Sequence, residues 1–502
     1  MHERLLFTEA YGNEKERFFV RSKDEESITE LGSDTIRTKS FYSNFVSFIK
    51  EVFLPQGFPD SVHPDYIPYQ IWDTVQAFAS TIMGTLTTHS IMQGVGVGEA
   101  TATPLAAAIT WILKDGTGMV GRIMFAWWNG TNLDGQCKKW RLFADVLNDV
   151  AMGIELLVPY FSYYSTGILC LSTMMKSVVG VAGGATRAAL TQHQALRNNL
   201  ADVSAKDGSQ ETCVNLIASF VGILILSIFQ NQRYVMELYL LLVAIHLYAN
   251  YSAVKALRLN SLNEDRLALV VKSYVANEVI PDTEEVNKKE SVLLNAKPCK
   301  TNLCGFQVKV GISLATLIKK NIISSNDIEL LLKLFLDRKY LISIDVQNRT
   351  IFISLKKEAL SSDVLEAYLH ACLCGLFICM SLKVPLDLFL KPGVGEVSYP
   401  LMRLHVLNKK YSSTGTSHSV QSSKAIESIY ATNLIISCEY KAFVSGLENK
   451  GTRKYIIEKK FNILTIRYFL GWMTRSNLLP VAISTRKDLQ SLSWPNYIEN
   501  HC

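Results

Sequence analysis

Two stretches near the middle of the chain are apolar over nearly their whole length, Thr212 to Gln230 (TCVNLIASFVGILILSIFQ) and Tyr234 to Val254 (YVMELYLLLVAIHLYANYSAV). Each has about the 20 residues that a helix needs to cross the hydrocarbon core of a bilayer. Only Asn231, Gln232 and Arg233 separate them, so the pattern predicts a tight antiparallel hairpin. Arg197 and Lys206 precede the pair and Lys255, Arg258 and Arg266 follow it, against a lone Arg233 in the turn. The positive-inside rule then places both outer ends in the cytosol. Upstream, Ile71 to Ile91, Val95 to Leu113, Gly118 to Trp128 and Met152 to Met175 are apolar but rich in Gly, Ala, Ser and Thr, the small residues that let membrane helices approach closely. Asp73, Glu99, Asp145, Asp149 and Glu155 interrupt or flank them. Ionisable groups are costly against lipid, so these helices are expected to bury one another rather than face lipid. Roughly four to seven embedded helices are expected on span length.

After about Arg266 the pattern changes. Asp282 to Glu290 (DTEEVNKKE) is charged and non-periodic, which reads as a linker or exposed loop. Ser324 to Phe335 has helical apolar spacing, and Tyr340 to Leu355 reads as two strands around a Gln347-Asn348 turn. Ser362 to Leu382 contains the apolar run ACLCGLFICMSL, which is short for a span and is expected to be a core helix. Ser412 to Ser423 reads as a Ser/Thr-rich loop and Phe461 to Met473 as a closing amphipathic helix. The expected fold class is therefore mainly α: a polytopic helical membrane domain over residues 41–260, a linker at 261–290, and a smaller soluble α+β domain at 291–502. Residues 1–40 carry Glu3, Glu9, Glu14, Glu16, Asp24, Glu25 and Glu26 and no apolar leader core, and are expected to form a disordered cytosolic arm.

Composition sharpens this division. Hydrophobic residues make up 48% of the chain, and only 23 of the 195 positions from Tyr66 to Asn260 are charged, against 19% of the whole. The apolar excess is regional. A net charge of +6 with no long basic run argues against nucleic acid as a partner. Ten cysteines at irregular spacings suit reduced thiols of an intracellular protein better than a disulfide framework. Cys372, Cys374 and Cys379 have only His370 nearby, a spacing unlike a zinc knuckle, and read as packing residues; no metal site is expected. The placement that follows is a multi-pass intracellular membrane protein, in contact with membrane lipid, whose C-terminal domain faces the cytosol.

Four segments are dense in Gly, Pro, charge and aromatic residues: Phe53 to Asp73, Gly94 to Ile123, Lys138 to Pro159 and Val178 to Thr212. Through the strings KDGTGMVGRI and GVAGGATRAALTQH the chain resembles the Root UVB Sensitive family over roughly Phe53 to Val254. The resemblance implies a membrane-associated protein linked in plants to vitamin B6 homeostasis, early root growth under UV-B and auxin transport. It also implies action together with a paralogous family member or a second copy of the chain. It implies no catalytic mechanism, and no residue role is carried over.

The residues themselves offer several candidate sites. Gly94-Val95-Gly96-Val97-Gly98 has its third glycine one position early for a dinucleotide loop, and close helix packing is the better account. Lys114-Asp115-Gly116 and Lys206-Asp207-Gly208 recur at the ends of apolar or amphipathic stretches. Either they cap helices or they form two facing loops that gate or bind an anionic solute, with Arg122 nearby. Arg187, His193 and Arg197 follow the Gly180 to Gly184 run. If Gly183 and Gly184 feed a helix N-terminus there, its free N–H groups and Arg187 would suit a phosphate. Pyridoxal 5'-phosphate is then a candidate ligand through the family resemblance, although no lysine has the context of a Schiff base. A structural pair of Arg187 with Asp202 or Asp149 is the alternative. Asp145 and Asp149 share a helix face with Arg141 one turn earlier. They would hold a cation or relay protons, or else pair internally with Arg141 and Arg122. No nucleophile–base pair is recognisable, so catalysis is not expected. Two functions remain: transport or binding of a small anionic solute, and a non-catalytic membrane scaffold that recruits a paralogue or a soluble B6-dependent enzyme.

Overall fold

A computed structural model of the chain describes residues 4–9, 17–21, 28–31, 41–95, 104–130, 133–229, 232–293, 303–323, 325–384, 399–413 and 421–449. It divides into two compact units, the first formed by Met1–Trp128 and Cys137–Leu257 and the second by Asn129–Gln136 and Arg258–Cys502. Among the predicted elements, Gly96 to Gly98, Glu99 and the closing helix at Phe461 to Met473 lie outside the described residues, as does most of the Ser/Thr-rich loop.

The first unit opens with strands β1 (Arg4–Glu9), β2 (Arg17–Arg21) and β3 (Ile28–Leu31), paired antiparallel with Phe7 opposite Phe19 and Val20 opposite Thr29. This corrects the disordered arm. The acidic residues between the strands conceal short runs such as RFFVR, whose aromatic and branched side chains favour extended backbone.

Among the described residues seven helices follow: α1 (Phe41–Phe53), α2 (Tyr66–Gly94), α3 (Pro104–Asn129), α4 (Cys137–Leu156), α5 (Ser165–Gln194), α6 (Leu200–Ile228) and α7 (Gln232–Ala256), with a 3-10 segment, Val158–Tyr164, before α5. The predicted hairpin partners α6 and α7 pack chiefly along α2 rather than against one another. Ala79, Ile82, Met83 and Leu86 of α2 share a core with Met152 and Leu156 of α4, Ala218 of α6, and Val235, Tyr239 and Leu242 of α7. Small residues explain why α2 takes this place. A Cβ on Gly222 would lie 2.9 Å from the Thr85 Cβ, so α6 comes closer to α2 than any larger residue would permit. Gly94 likewise lies against Val158 and Pro159, where a Cβ would come within 2.8 Å of backbone atoms. On α3, Gly118 and Gly121 face Thr173, Met174 and Ser177 of α5.

The outside of this bundle is apolar. Leu216, Phe220, Ile223 and Ile228 of α6 are each more than half exposed, as are Leu240 and Leu241 of α7. So are Leu105, Ile112, Ile123 and Met124 of α3, a helix the sequence led us to expect buried. Among the described residues four helical segments are long and apolar enough to cross a membrane: Val158–Gln194, Leu200–Ile228, Arg233–Ala256 and Ser361–Ser381. In the first three, no more than 33% of the most apolar window is buried; in the fourth, 83% is.

The fourth, α12, belongs to the second unit. That unit comprises α8 (Glu264–Asn277), α9 (Thr283–Lys289), β4 (Gln307–Val310), α10 (Leu314–Lys319), α11 (Ser325–Leu334), β5 (Tyr340–Asp345), β6 (Thr350–Leu355), α12 (Ser361–Ser381), α13 (Tyr399–Ser413), α14 (Gln421–Asn433) and α15 (Ile436–Asn449). β5 and β6 form the predicted hairpin, and β4 joins β6 in parallel. α12 is apolar on every side, as a central helix must be: Leu369, Ala371, Cys372, Leu373, Cys374 and Leu376 are fully buried against the sheet and α13 to α15. Residues 261–290 are no linker. Val270, Val271, Tyr274 and Val275 of α8 and Val286 of α9 lie in the core of this unit, and the buried Arg266 meets Glu290 at 3.3 Å. The charges that suggested a loop sit on the outer face of α9, where Glu284–Lys288 and Glu285–Lys289 pair one turn apart.

Candidate functional site

Polar side chains gather where α2, α4 and α7 meet. Asp145 and Asp149 stand four apart on α4, and His246 and Asn250 stand four apart on α7, so each pair lies on one helix face. The two faces meet as rungs. Asn250 Nδ2 donates to the Asp145 carboxylate, and His246 Nδ1 lies 2.9 Å from Asp149 Oδ2. Gln76 of α2 donates to Asp145 at 2.8 Å, and one turn away Arg141 donates to Asp73 at 2.8 Å. The Tyr239 hydroxyl closes the far end on the Asp149 carbonyl. His246 and Asn250 are buried to 1% exposure or less, inside a helix apolar enough to cross a membrane.

The hydrogen-bonding capacity of this cluster is not used up. Asp149 Oδ1, His246 Nε2, Asn250 Oδ1 and Arg141 Nε are buried atoms without a hydrogen-bond partner among the described residues. A buried polar group left in that state costs about 1–3 kcal/mol, so four within one cluster mark a place fit to receive a proton, a water or a polar solute.

A second cluster joins α2, α5 and α6. Arg187 Nε donates to Asp207 Oδ2 at 2.7 Å and its Nη1 to Glu211 Oε2 at 2.6 Å, while Gln70 of α2 donates to Asp207 Oδ1 at 2.9 Å. Gln70, Asp73 and Gln76 thus set α2 between the two clusters.

Several expectations change here. Gly183 and Gly184 lie inside the continuous helix α5, so there is no helix N-terminus before Arg187 and no phosphate cradle. Nor is Arg187 paired with Asp202 or Asp149: Asp202 instead accepts from the Gln56 backbone at 2.7 Å. His193 lies at the end of α5 and meets Asp65 at 2.9 Å. Both Lys-Asp-Gly strings are helical rather than caps or facing loops, one within α3 and one within α6. Lys114 lies 4.6 Å from the Trp111 ring centroid and 3.7 Å from Asp115. Lys206 donates to the Glu51 carbonyl at 2.5 Å, and Arg122 is exposed on α3, outside the α4 network. The structure therefore brings together Arg141, Asp145 and Asp149, and separately Arg187 and Asp207. It adds Gln70, Gln76, Glu211, His246 and Asn250, which sequence reasoning passed over. A histidine and an asparagine one turn apart inside YVMELYLLLVAIHLYANYSAV were the available signal, since a polar group in such a segment is expensive unless used.

Comparison with known proteins identifies the family. Residues 39–278 match the model of the vitamin B6 photo-protection and homoeostasis domain, and residues 279–391 that of the Root UVB sensitive protein C-terminal region. The boundary between the two falls between α8 and α9, inside the second compact unit. The chain is 43% identical to RUS family member 1 of Dictyostelium discoideum over 55% of its own length and about half (52%) of that protein. It is 36% identical to protein root UVB sensitive 3 of Arabidopsis thaliana, covering 69% of this chain and 79% of the relative, and 29% identical to protein root UVB sensitive 5 of the same plant over 73% of this chain and 75% of the relative. No solved structure matches it. With both family models matching in tandem and the residues of the polar clusters inside the first of them, the chain belongs to the Root UVB sensitive family.

Proposed function

We propose that the first unit sits in an intracellular membrane and binds and carries a small solute in vitamin B6 homeostasis, with proton movement along the α2–α4–α7 cluster. The observation that carries this reading is the set of four buried, unsatisfied polar atoms on Asp149, His246, Asn250 and Arg141, enclosed by helices whose outer faces are apolar. Scattered exposed leucines are ordinary on a soluble protein, but continuous apolar faces on α3, α6 and α7 call for lipid or a partner. The chemistry of the clusters also selects among solutes. Acidic side chains outnumber basic ones in both, and Arg187 is already held by two carboxylates. That supports a protonated or neutral solute, such as an unphosphorylated B6 vitamer with its pyridine nitrogen, over an anion such as pyridoxal 5'-phosphate.

Reconstituted liposomes test the proposal. Saturable uptake of pyridoxine or pyridoxal that rises with an imposed pH gradient and falls in Asp149→Asn and His246→Phe is the expected result. Well-folded wild-type protein that neither binds nor moves any vitamer would overturn it. If such protein captured a paralogue or a B6-dependent enzyme instead, the scaffold reading would take its place.

A further inference from the structure

We propose that His63, Asp65 and His193 form a site for a divalent transition metal such as Zn2+. His63 Nδ1 lies 2.8 Å from Asp65 Oδ1, and His193 Nε2 lies 2.9 Å from Asp65 Oδ2. The ligand atoms of all three residues fall within 4.8 Å of one another, and the two imidazole rings are 4.3 Å apart between centroids. Zn2+ binds imidazole nitrogen and carboxylate oxygen at about 2.0–2.2 Å, and in a tetrahedron this separates neighbouring ligand atoms by about 3.3 Å. Seating an ion therefore requires the ligand atoms to close by no more than about 1.5 Å. Two imidazoles and one carboxylate form a donor set of catalytic zinc sites, which leaves a fourth position for water or solute.

The backbone holds these ligands in advance. His63 and Asp65 lie on the segment leading into α2, and His193 lies on the last turn of α5, far away in sequence. Val62 and Ala195 form an isolated β-bridge. The His63 N–H donates to the Gln194 carbonyl at 2.9 Å, and the Leu196 N–H and Asn199 Nδ2 both donate to the Ser61 carbonyl at 3.2 Å. The two segments are thus stitched together on both sides of the cluster, the kind of support that a metal site requires. Access is also provided. The Asp65 side chain is fully buried, while those of His63 and His193 keep 14% and 11% of their surface exposed, so both imidazoles reach solvent. This site is separate from the α2–α4–α7 cluster and does not depend on the transport reading.

The test uses the full chain, purified in detergent without a polyhistidine tag, stripped with chelator and titrated with Zn2+ by calorimetry. One equivalent should bind, and that equivalent should be lost in His193→Ala and in Asp65→Asn. If those variants fail to fold, Cu2+-loaded wild type decides: pulsed electron paramagnetic resonance should count two coordinated imidazoles. Absence of binding in folded wild type, an equivalent that survives in folded His193→Ala, or fewer than two imidazoles would each overturn the proposal.

Discussion

Replacing Arg187 by glutamine removes the cation between two carboxylates of α6, and the two halves of that arrangement are unequal. Glu211 keeps 43% of its side chain in solvent, and a pair so exposed contributes about 0–1 kcal/mol. Asp207 keeps only 11% and also accepts from Gln70. Breaking a buried pair on one side costs about 3–5 kcal/mol because a charge is stranded. Arg187 is itself 36% exposed, so water screens part of that loss and about 2 kcal/mol is expected. For a unit of this size that lowers the melting temperature by roughly 4–8 °C. Adding Asp207→Asn removes the stranded charge while an amide oxygen still accepts from Gln70, so the double variant should recover at least half the loss. Arg187→Lys should fall between, because one ammonium cannot fork to both carboxylates. Circular-dichroism melts in detergent measure all three. An unchanged melting temperature in Arg187→Gln, or a double variant that melts lower than the single one, would refute the ion-pair assignment. A wild-type stabilisation by pyridoxal 5'-phosphate that vanishes in a folded Arg187→Gln would reinstate the anion site.

Three further outcomes are expected. A fragment starting at Arg258 should unfold cooperatively, whereas one starting at residue 291 should not, since it lacks the α8 side chains Val271 and Tyr274 that the core encloses; equal melts from both would move the boundary back. Gly222→Ala should destabilise the first unit by about 1–3 kcal/mol through overpacking, and Thr85→Gly beside it, which removes the Cβ that the new one meets at 2.9 Å, should recover part of the loss; an unaltered single variant would show that α2 and α6 do not pack as described. His370 is fully buried between Tyr340 and Thr432, and burial, aided by the Arg338 charge, pushes its pKa down to about 3. Neutral histidine is therefore favoured in the fold. Its contribution is complete above the unfolded value of about 6.5 and is lost as pH falls toward 3, at about 1.4 kcal/mol per pH unit. Urea titrations of the Arg258 fragment between pH 7 and 4 should show this slope, and His370→Gln should flatten it; an identical slope in the variant would assign it elsewhere.

Much of the second unit was legible because its signals are local. The Tyr340 to Leu355 hairpin follows from two runs of branched residues around a polar turn, and α12 from the apolar run ACLCGLFICMSL, although the whole helix is long enough to span and its burial is what marks it as a core helix. What the local signals could not convey was tertiary company. DTEEVNKKE has the composition of a loop, yet Val286 and Asn287 turn one face of α9 inward. The hairpin of α6 and α7 failed for a similar reason. Short connection favours contact between neighbours in sequence, but Ala218 and Gly222 on α6 and the Val235–Tyr239–Leu242 stripe on α7 both suit α2 better than each other, and no rule of connection length carries that preference.

The site was legible only by halves, and the missing halves share a cause. Asp145 and Asp149 announce themselves as acids on one helix face, but the groups that complete them, His246 and Asn250, lie about a hundred residues away inside a segment whose hydropathy reads as a membrane span. Arg187 was conspicuous, yet a glycine run before an arginine is equally a loop feeding a helix and a helix with a small-residue face; only the continuity of α5 decides, and it turns an apparent anion cradle into an ion pair. His63 and His193 are each a lone histidine in sequence, and what joins them is a bridge between Val62 and Ala195 that no spacing encodes. In each case the chemistry-bearing residue was visible and its partner was not, because partners are chosen by which helices the small residues allow to meet. The glycines and alanines of this chain therefore do as much to define its polar clusters as the charged residues that fill them. Gly222→Ala, by shifting α6 off α2, should accordingly disturb the Gln70–Asp207 contact and the Arg187 pair without touching either residue, and a Gly222→Ala melt that loses its sensitivity to Arg187→Gln would be the evidence of that coupling.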